Sequence, residues 1–140
     1  MLNTKRMLLA YVIVLVVDFL YGFLMFGKAF YSFHAGYPNW LKPEAELPFL
    51  RMFLTGALNA ALVTLFYALF ARGRASQLST GIVFGLLLGL IAGWIPQASN
   101  KLLFVNYPFY THWAPAIFGE FLLMGIVLGL VYRPGTAGPA

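Results

Sequence analysis

Four stretches of this 140-residue chain are apolar and long enough to cross a membrane as helices: residues 7–27, 49–71, 79–96 and 112–132. A helix rising about 1.5 Å per residue needs roughly 20 apolar residues to cross about 30 Å of hydrocarbon. Lipid offers no hydrogen-bond partner to the backbone, and these runs lack the alternating pattern of barrel strands. The sequence therefore predicts an all-α membrane protein, with four transmembrane helices in one up-down bundle over residues 1–132.

Composition supports the membrane assignment and excludes several kinds of chemistry. Apolar residues make up 61% of the chain and charged residues 9%, whereas a soluble domain carries about 25% charged residues. The chain has no Cys, which excludes disulfides, thiol nucleophiles and Cys-based metal sites. It also lacks a phosphate-binding Gly-rich loop, an HExxH helix and a serine-nucleophile motif. We expect a non-enzymatic protein, and no cofactor can be named.

The basic residues predict an orientation, because Lys and Arg are enriched on the cytoplasmic side of membrane proteins. One side holds five of them: Lys5, Arg6, Arg72, Arg74 and Arg133. The other side holds Lys28, Lys42, Arg51 and Lys101, diluted by Glu44 and Glu46. Both termini are thus predicted in the cytoplasm, with the Pro- and Gly-rich tail 133–140 disordered. The net charge of +5 then reflects membrane topology and not nucleic-acid binding.

Glycines recur every fourth residue in the third predicted helix. They are Gly81, Gly85, Gly89 and Gly93, and the fourth helix carries Gly125 and Gly129 at the same spacing. This spacing lines up small residues on one ridge, where a second helix backbone can approach closely. The ridge either closes the bundle on itself or seats a partner helix in a homo-oligomer or larger membrane complex.

Three polar residues fall at a similar depth inside the predicted membrane region: Asp18, Asn59 and Glu120. Each lies twelve or thirteen residues from the basic residues of the inner flank, roughly 18 to 20 Å along a helix. Ionised carboxyl groups are costly at that depth, so such residues face a protein interior and are functional candidates. They form either a proton, ion or ligand site or a structural contact with hydroxyl partners such as Tyr11, Tyr21 and Thr64.

Two predicted outer segments, residues 28–49 and 97–113, are rich in aromatic residues. A candidate outer cleft comprises Tyr31, Trp40, Tyr107, Tyr110 and Trp113. These residues form either an interfacial aromatic belt or a cleft for a lipid tail, quinone, pigment or partner subunit. The two histidines, His34 and His112, also lie in these segments, but they lack a metal-ligand spacing and no metal site is predicted.

The stretches YGFLMFGKAF (21–30) and GEFLLMGIVLGLVY (119–132), together with helices rich in small residues, resemble small bacterial four-helix membrane families of unknown function. The resemblance implies a bacterial inner-membrane location and brings no active site with it.

Three functional hypotheses follow from the sequence. The first is a non-enzymatic accessory or structural subunit, or a small homo-oligomer, in contact with membrane lipid. The second is a small transporter or proton-coupled carrier that uses the intramembrane carboxyl groups. The third is a protein that binds lipid or quinone at the outer interface.

Overall fold

Four helices account for nearly all of the chain that the structure describes, which is residues 3–29, 48–74, 77–103 and 110–133 of a computed structural model. They are α1 (Thr4–Ala29), α2 (Phe49–Phe70), α3 (Gln77–Leu103) and α4 (Tyr110–Val131). Each is long and apolar enough to cross a membrane. The prediction of an all-α protein with four such helices is therefore confirmed for the described residues, which contain no strand.

The third helix is longer than predicted, because Pro96 does not end it. Residues 89–94 form a π-helical segment within α3, and the Ile95 amide bonds the Leu90 carbonyl five residues back. Proline lacks the amide hydrogen that an α-helix needs, and its ring clashes with the carbonyl four residues earlier. A wider π turn accommodates such a disruption. The helix then continues as Ile95–Leu103, so the predicted outer loop 97–113 is wrong over residues 97–103.

The other helix ends differ from the prediction by a few residues. α1 begins at Thr4, where the Asn3 side chain accepts a hydrogen bond from the Arg6 amide at 3.2 Å, as N-terminal caps do. It ends in a π-helical turn, Met25–Ala29. α4 begins at Tyr110, so Tyr110 and Trp113 belong to its first turn and not to a loop. The predicted disordered tail lies outside the described residues from position 134 onward.

Helix α1 packs between α2 and α4, and α4 makes its most extensive contact with α3. The first and last helices are therefore neighbours, whereas α2 and α3 touch only sparsely. The core of the bundle combines residues from all four helices: Val14, Ala60, Tyr67, Phe84, Met124 and Leu128. Most large apolar side chains outside this core are exposed, as expected of helices that face lipid.

Tyr67 forms the centre of an aromatic cluster at one end of the core. Its ring meets Phe84 edge-to-face at 5.3 Å and Tyr132 at 6.0 Å between centroids. Its hydroxyl donates to the Gln77 carbonyl oxygen at 3.0 Å. The buried Tyr132 hydroxyl has no hydrogen-bond partner in the described part of the chain. Two adjacent buried tyrosines thus differ in whether their hydroxyl groups are satisfied.

The glycine ridge of α3 packs directly on the backbone of α4. A Cβ atom added to Gly85 would lie 2.8 Å from the Phe121 carbonyl oxygen and 2.9 Å from the Leu122 Cα. Gly81 faces Gly125 and Gly129, while Gly89 and Gly93 face Phe118 and Ile117. This register makes α3 and α4 antiparallel. All six glycines of the predicted packing set are therefore in contact within one chain, and α4 occupies the ridge that a partner helix would need.

Candidate functional site

The carboxyl groups of Asp18 and Glu120 lie within hydrogen-bond distance of each other across the contact between α1 and α4. Both residues are half-buried in the isolated chain. Two of the three intramembrane polar residues are thus brought together by the packing of α1 against α4. The structure places this carboxyl pair in the middle of both helices.

A hydrogen bond between two carboxyl groups requires a proton on at least one of them. An ionised carboxylate only accepts hydrogen bonds, whereas a protonated carboxyl group has one O–H to donate. Two carboxylates this close in a medium of low polarity would repel each other strongly. The contact between the two carboxyl groups is therefore a candidate site for a shared proton between α1 and α4.

Tyr21 adds a second polar contact between the same helices, one turn along α1 from Asp18. Its hydroxyl donates to the Ala116 carbonyl oxygen at 2.8 Å, one turn before Glu120 on the antiparallel α4. Gly119 makes room for it, because a Cβ atom there would lie 2.9 Å from the Tyr21 hydroxyl oxygen. Tyr21 was among the hydroxyl residues expected to form hydrogen bonds with the two carboxyl groups. Its hydroxyl instead donates a hydrogen bond to a backbone carbonyl oxygen.

Helix α2 forms the second wall of the site through Gly56. A Cβ atom on Gly56 would lie 3.2 Å from Asp18 Oδ2 and 3.4 Å from the Phe19 ring. Phe19 in turn stacks on Phe53 of α2, with ring centroids 5.0 Å apart. Gly56 and Gly119 therefore admit polar side chains between helices, a role that spacing alone does not reveal because neither glycine lies on the ridge of α3.

Asn59 lies one helical turn beyond Gly56 on α2 and is half-buried. Within the described residues, the structure shows no hydrogen bond between Asn59 and either carboxyl group. Of the three residues of the predicted polar belt, the described contacts join Asp18 to Glu120. A role for Asn59 beside them stays a prediction.

The candidate outer cleft is only partly visible. Tyr110 packs edge-to-face on Trp94 at 6.1 Å, and Trp94 packs on Phe118 at 6.2 Å, so α3 and α4 share aromatic contacts at this end. Three of its residues lie outside the described part of the chain: Tyr31, Trp40 and Tyr107. His34 does too, while the Nδ1 of His112 lies 3.0 Å from the Thr111 hydroxyl. The described residues contain no cluster of three metal-ligating side chains.

No family model, curated protein or solved structure matches this chain. The resemblance to small bacterial membrane families therefore stays a prediction, and the function has to be argued from the chemistry of the carboxyl pair.

Proposed function

We propose that this chain is an integral protein of a bacterial inner membrane, arranged as an up-down bundle with both termini in the cytoplasm. Its four helices of sufficient length and apolarity support the membrane location. The clustered Lys5, Arg6, Arg72 and Arg74 at one end of the bundle support the orientation, because positive residues are retained on the cytoplasmic side.

Within that membrane the chain acts as a small proton-coupled carrier, and the observation that supports this function is the contact between the Asp18 and Glu120 carboxyl groups. Ionisable residues inside membrane helices are costly and mark proton and substrate pathways. A pair that shares a hydrogen bond takes up or releases protons as a unit. A solute that binds the pair with a different affinity in each protonation state is thereby coupled to protons.

The carboxyl pair is also incompletely enclosed by the helices of one chain. Asp18 and Glu120 are both half-buried. The helix that contributes Asp18, α1, is also the least buried of the four: 11% of the residues in its most apolar stretch are buried, against 28% to 39% in the other helices. The glycine ridge, one of the features that favour a subunit role, is occupied by α4 of the same chain. The balance of observations therefore favours a site-based function over a purely structural one.

The test is proton flux in proteoliposomes loaded with a pH-sensitive dye. A library of small solutes is added to one side, and the change in internal pH is followed for the natural chain. A solute that drives proton movement identifies the substrate class. We expect Asp18→Asn and Glu120→Gln to abolish this movement, because each amide removes one titrating group while preserving side-chain size and hydrogen-bonding capacity.

The matched control is Tyr21→Phe, which removes the neighbouring hydrogen bond to Ala116 and leaves both carboxyl groups in place. It should lower stability and leave coupled flux measurable. If the two amide variants move protons as fast as the natural chain while remaining folded, the carrier proposal is wrong.

The second candidate is the accessory subunit or small homo-oligomer. It is favoured by the apolar outer face of α1, where Leu8, Val12, Leu20 and Phe23 are each about half exposed or more. The intact mass of the protein, extracted from its own membrane in native nanodiscs, distinguishes the two. A stable larger complex supports the subunit role, and a lone copy removes it. The third candidate, binding of lipid or quinone at the outer interface, depends on residues outside the described part of the chain and stays a prediction.

A further inference from the structure

A groove of about 330 Å³ runs between the first half of α1 and the second half of α2. Its α1 wall is formed by residues spaced three or four apart, Thr4, Met7 and Tyr11, and its α2 wall by Ala61, Thr64 and Leu65. Such spacing keeps each set on one face of its helix. From Thr4 to Tyr11 the groove extends about 10 Å along α1. It is an open, almost wholly apolar groove that begins at the end of the bundle where Thr4 lies.

Two exposed basic residues lie at the same end of the bundle as Thr4, although neither is among the residues that line the groove. Lys5 follows Thr4 directly on α1, and Arg72 follows the end of α2. Arg74 is different, because its Nε donates to the Phe70 carbonyl oxygen at 3.0 Å and its guanidinium lies 4.1 Å from the centre of the Phe70 ring. The Thr4 end of the groove therefore has the charges of Lys5 and Arg72 near it, whereas the charge of Arg74 is bound to α2.

An apolar groove with basic residues near one end suits an amphiphilic ligand. Its acyl chain would lie in the groove, and its negative headgroup would lie at the basic end. We propose that the α1–α2 groove binds an anionic phospholipid. Its acyl chain lies against Met7, Tyr11 and Leu65, and its phosphate is held by Lys5 and Arg72. Juxtamembrane Lys and Arg attract anionic headgroups, and a chain in a fitted groove gains dispersion contacts.

This site is separate from the carboxyl pair. Asp18 lies two helical turns beyond Tyr11 on α1, outside the residues that line the groove. The lipid proposal therefore stands whether or not the chain carries protons, and its test reads lipid binding and not flux.

The test is a lipid titration of the full chain in detergent, followed by native mass spectrometry. The two probes are phosphatidylglycerol and phosphatidylcholine with identical acyl chains. We expect one molecule of phosphatidylglycerol to bind about thirtyfold more tightly than phosphatidylcholine, since each of the two basic contacts contributes about a factor of five. The double variant Lys5→Gln, Arg72→Gln should remove this preference by weakening phosphatidylglycerol binding about thirtyfold. Lys101→Gln, at the far end of α3, should leave it unchanged.

A second pair of variants tests the groove itself. Ala61→Phe places an aromatic ring in the groove. Leu62→Phe makes a similar enlargement at the adjacent residue, which does not line the groove. We expect Ala61→Phe to abolish the binding of phosphatidylglycerol and Leu62→Phe to leave it unchanged. The charge variants lie on the exposed surface, so they test the proposal even if Ala61→Phe fails to fold. Equal binding of the two lipids, or a dimer that Ala61→Phe disrupts, would overturn it.

Discussion

The two faces of α4 are packed in opposite ways. Toward α3 it presents Gly125 and Gly129, and the two backbones lie so close that an added Cβ has no space. Toward α1 it presents Glu120 and the Ala116 carbonyl, which meet side chains across a wider contact. The first interface is held by shape and dispersion, and the second by hydrogen bonds between a few polar groups.

This difference indicates which part of the bundle is fixed and which can change state. A backbone-to-backbone contact loses its close packing with any displacement, because dispersion falls steeply with distance. Interhelical hydrogen bonds contribute on average only about 0.6 kcal/mol each in a membrane, and they can be re-formed with other partners. We therefore expect the α3–α4 pair to be the rigid frame of the bundle and α1 to be held against it more weakly.

The largest effect should come from Gly85→Ala. The new Cβ would lie under 3 Å from two α4 backbone positions, at Phe121 and Leu122, and a backbone cannot move aside as a flexible side chain can. We expect the free energy of unfolding to fall by about 1 to 3 kcal/mol, the usual cost of overpacking, as measured by denaturant titration in bicelles.

Gly22→Ala is its control, because nothing lies within 4 Å of a Cβ at that position on α1. There the free energy of unfolding should stay the same or rise, since Ala is favoured over Gly in helices by about 0.5 to 1 kcal/mol. Equal destabilisation by the two substitutions would show that α3 and α4 do not form a rigid frame.

A smaller effect should come from Gly119→Ala, on the polar face of α4. Its Cβ would lie 2.9 Å from the Tyr21 hydroxyl oxygen but 3.9 Å from the Tyr21 ring carbon that carries it. The substitution should therefore displace the hydroxyl and break its bond to Ala116, costing about 1 kcal/mol of unfolding free energy.

The decisive measurement is a double-mutant cycle with Tyr21→Phe, which measures whether the two changes act independently. In the Tyr21→Phe background, Gly119→Ala should cost almost nothing, because the only atom in conflict is already absent. Additive costs would mean that Gly119 contributes to α4 in some other way than by admitting the Tyr21 hydroxyl.

The sequence predicts the helices better than the contacts between them, for a physical reason. Apolar length alone decides whether a segment can cross a membrane, so the four helices could be predicted directly. The rotation of each helix depends on packing that hydropathy does not report. The matching depths of Asp18 and Glu120 made their contact conceivable, whereas the clearance provided by Gly56 and Gly119 depends on which face each glycine presents.

The end of α3 illustrates the same limit. Pro96 is a typical stop signal, and the predicted third helix ended there. The π-helical segment before it depends on backbone geometry over residues 89–94, and neither the glycines nor the apolar residues there distinguish a π turn from an α turn. The proline therefore marks the position of the disruption and not its structural outcome.

The smallest effect should separate two buried tyrosines at the end of the core. Tyr67→Phe removes a hydroxyl that donates to the Gln77 carbonyl oxygen, so the free energy of unfolding should fall by about 0.6 kcal/mol, the average for an interhelical hydrogen bond. Tyr132→Phe removes a buried hydroxyl without a partner in the described residues. Its loss relieves a desolvation cost, and stability should stay unchanged or rise slightly. Denaturant titration of both variants, each keeping its aromatic ring, compares the hydroxyl groups alone. If Tyr132→Phe proves as costly as Tyr67→Phe, the Tyr132 hydroxyl has a partner, and this end of the bundle is held by polar contacts much as α1 is held against α4.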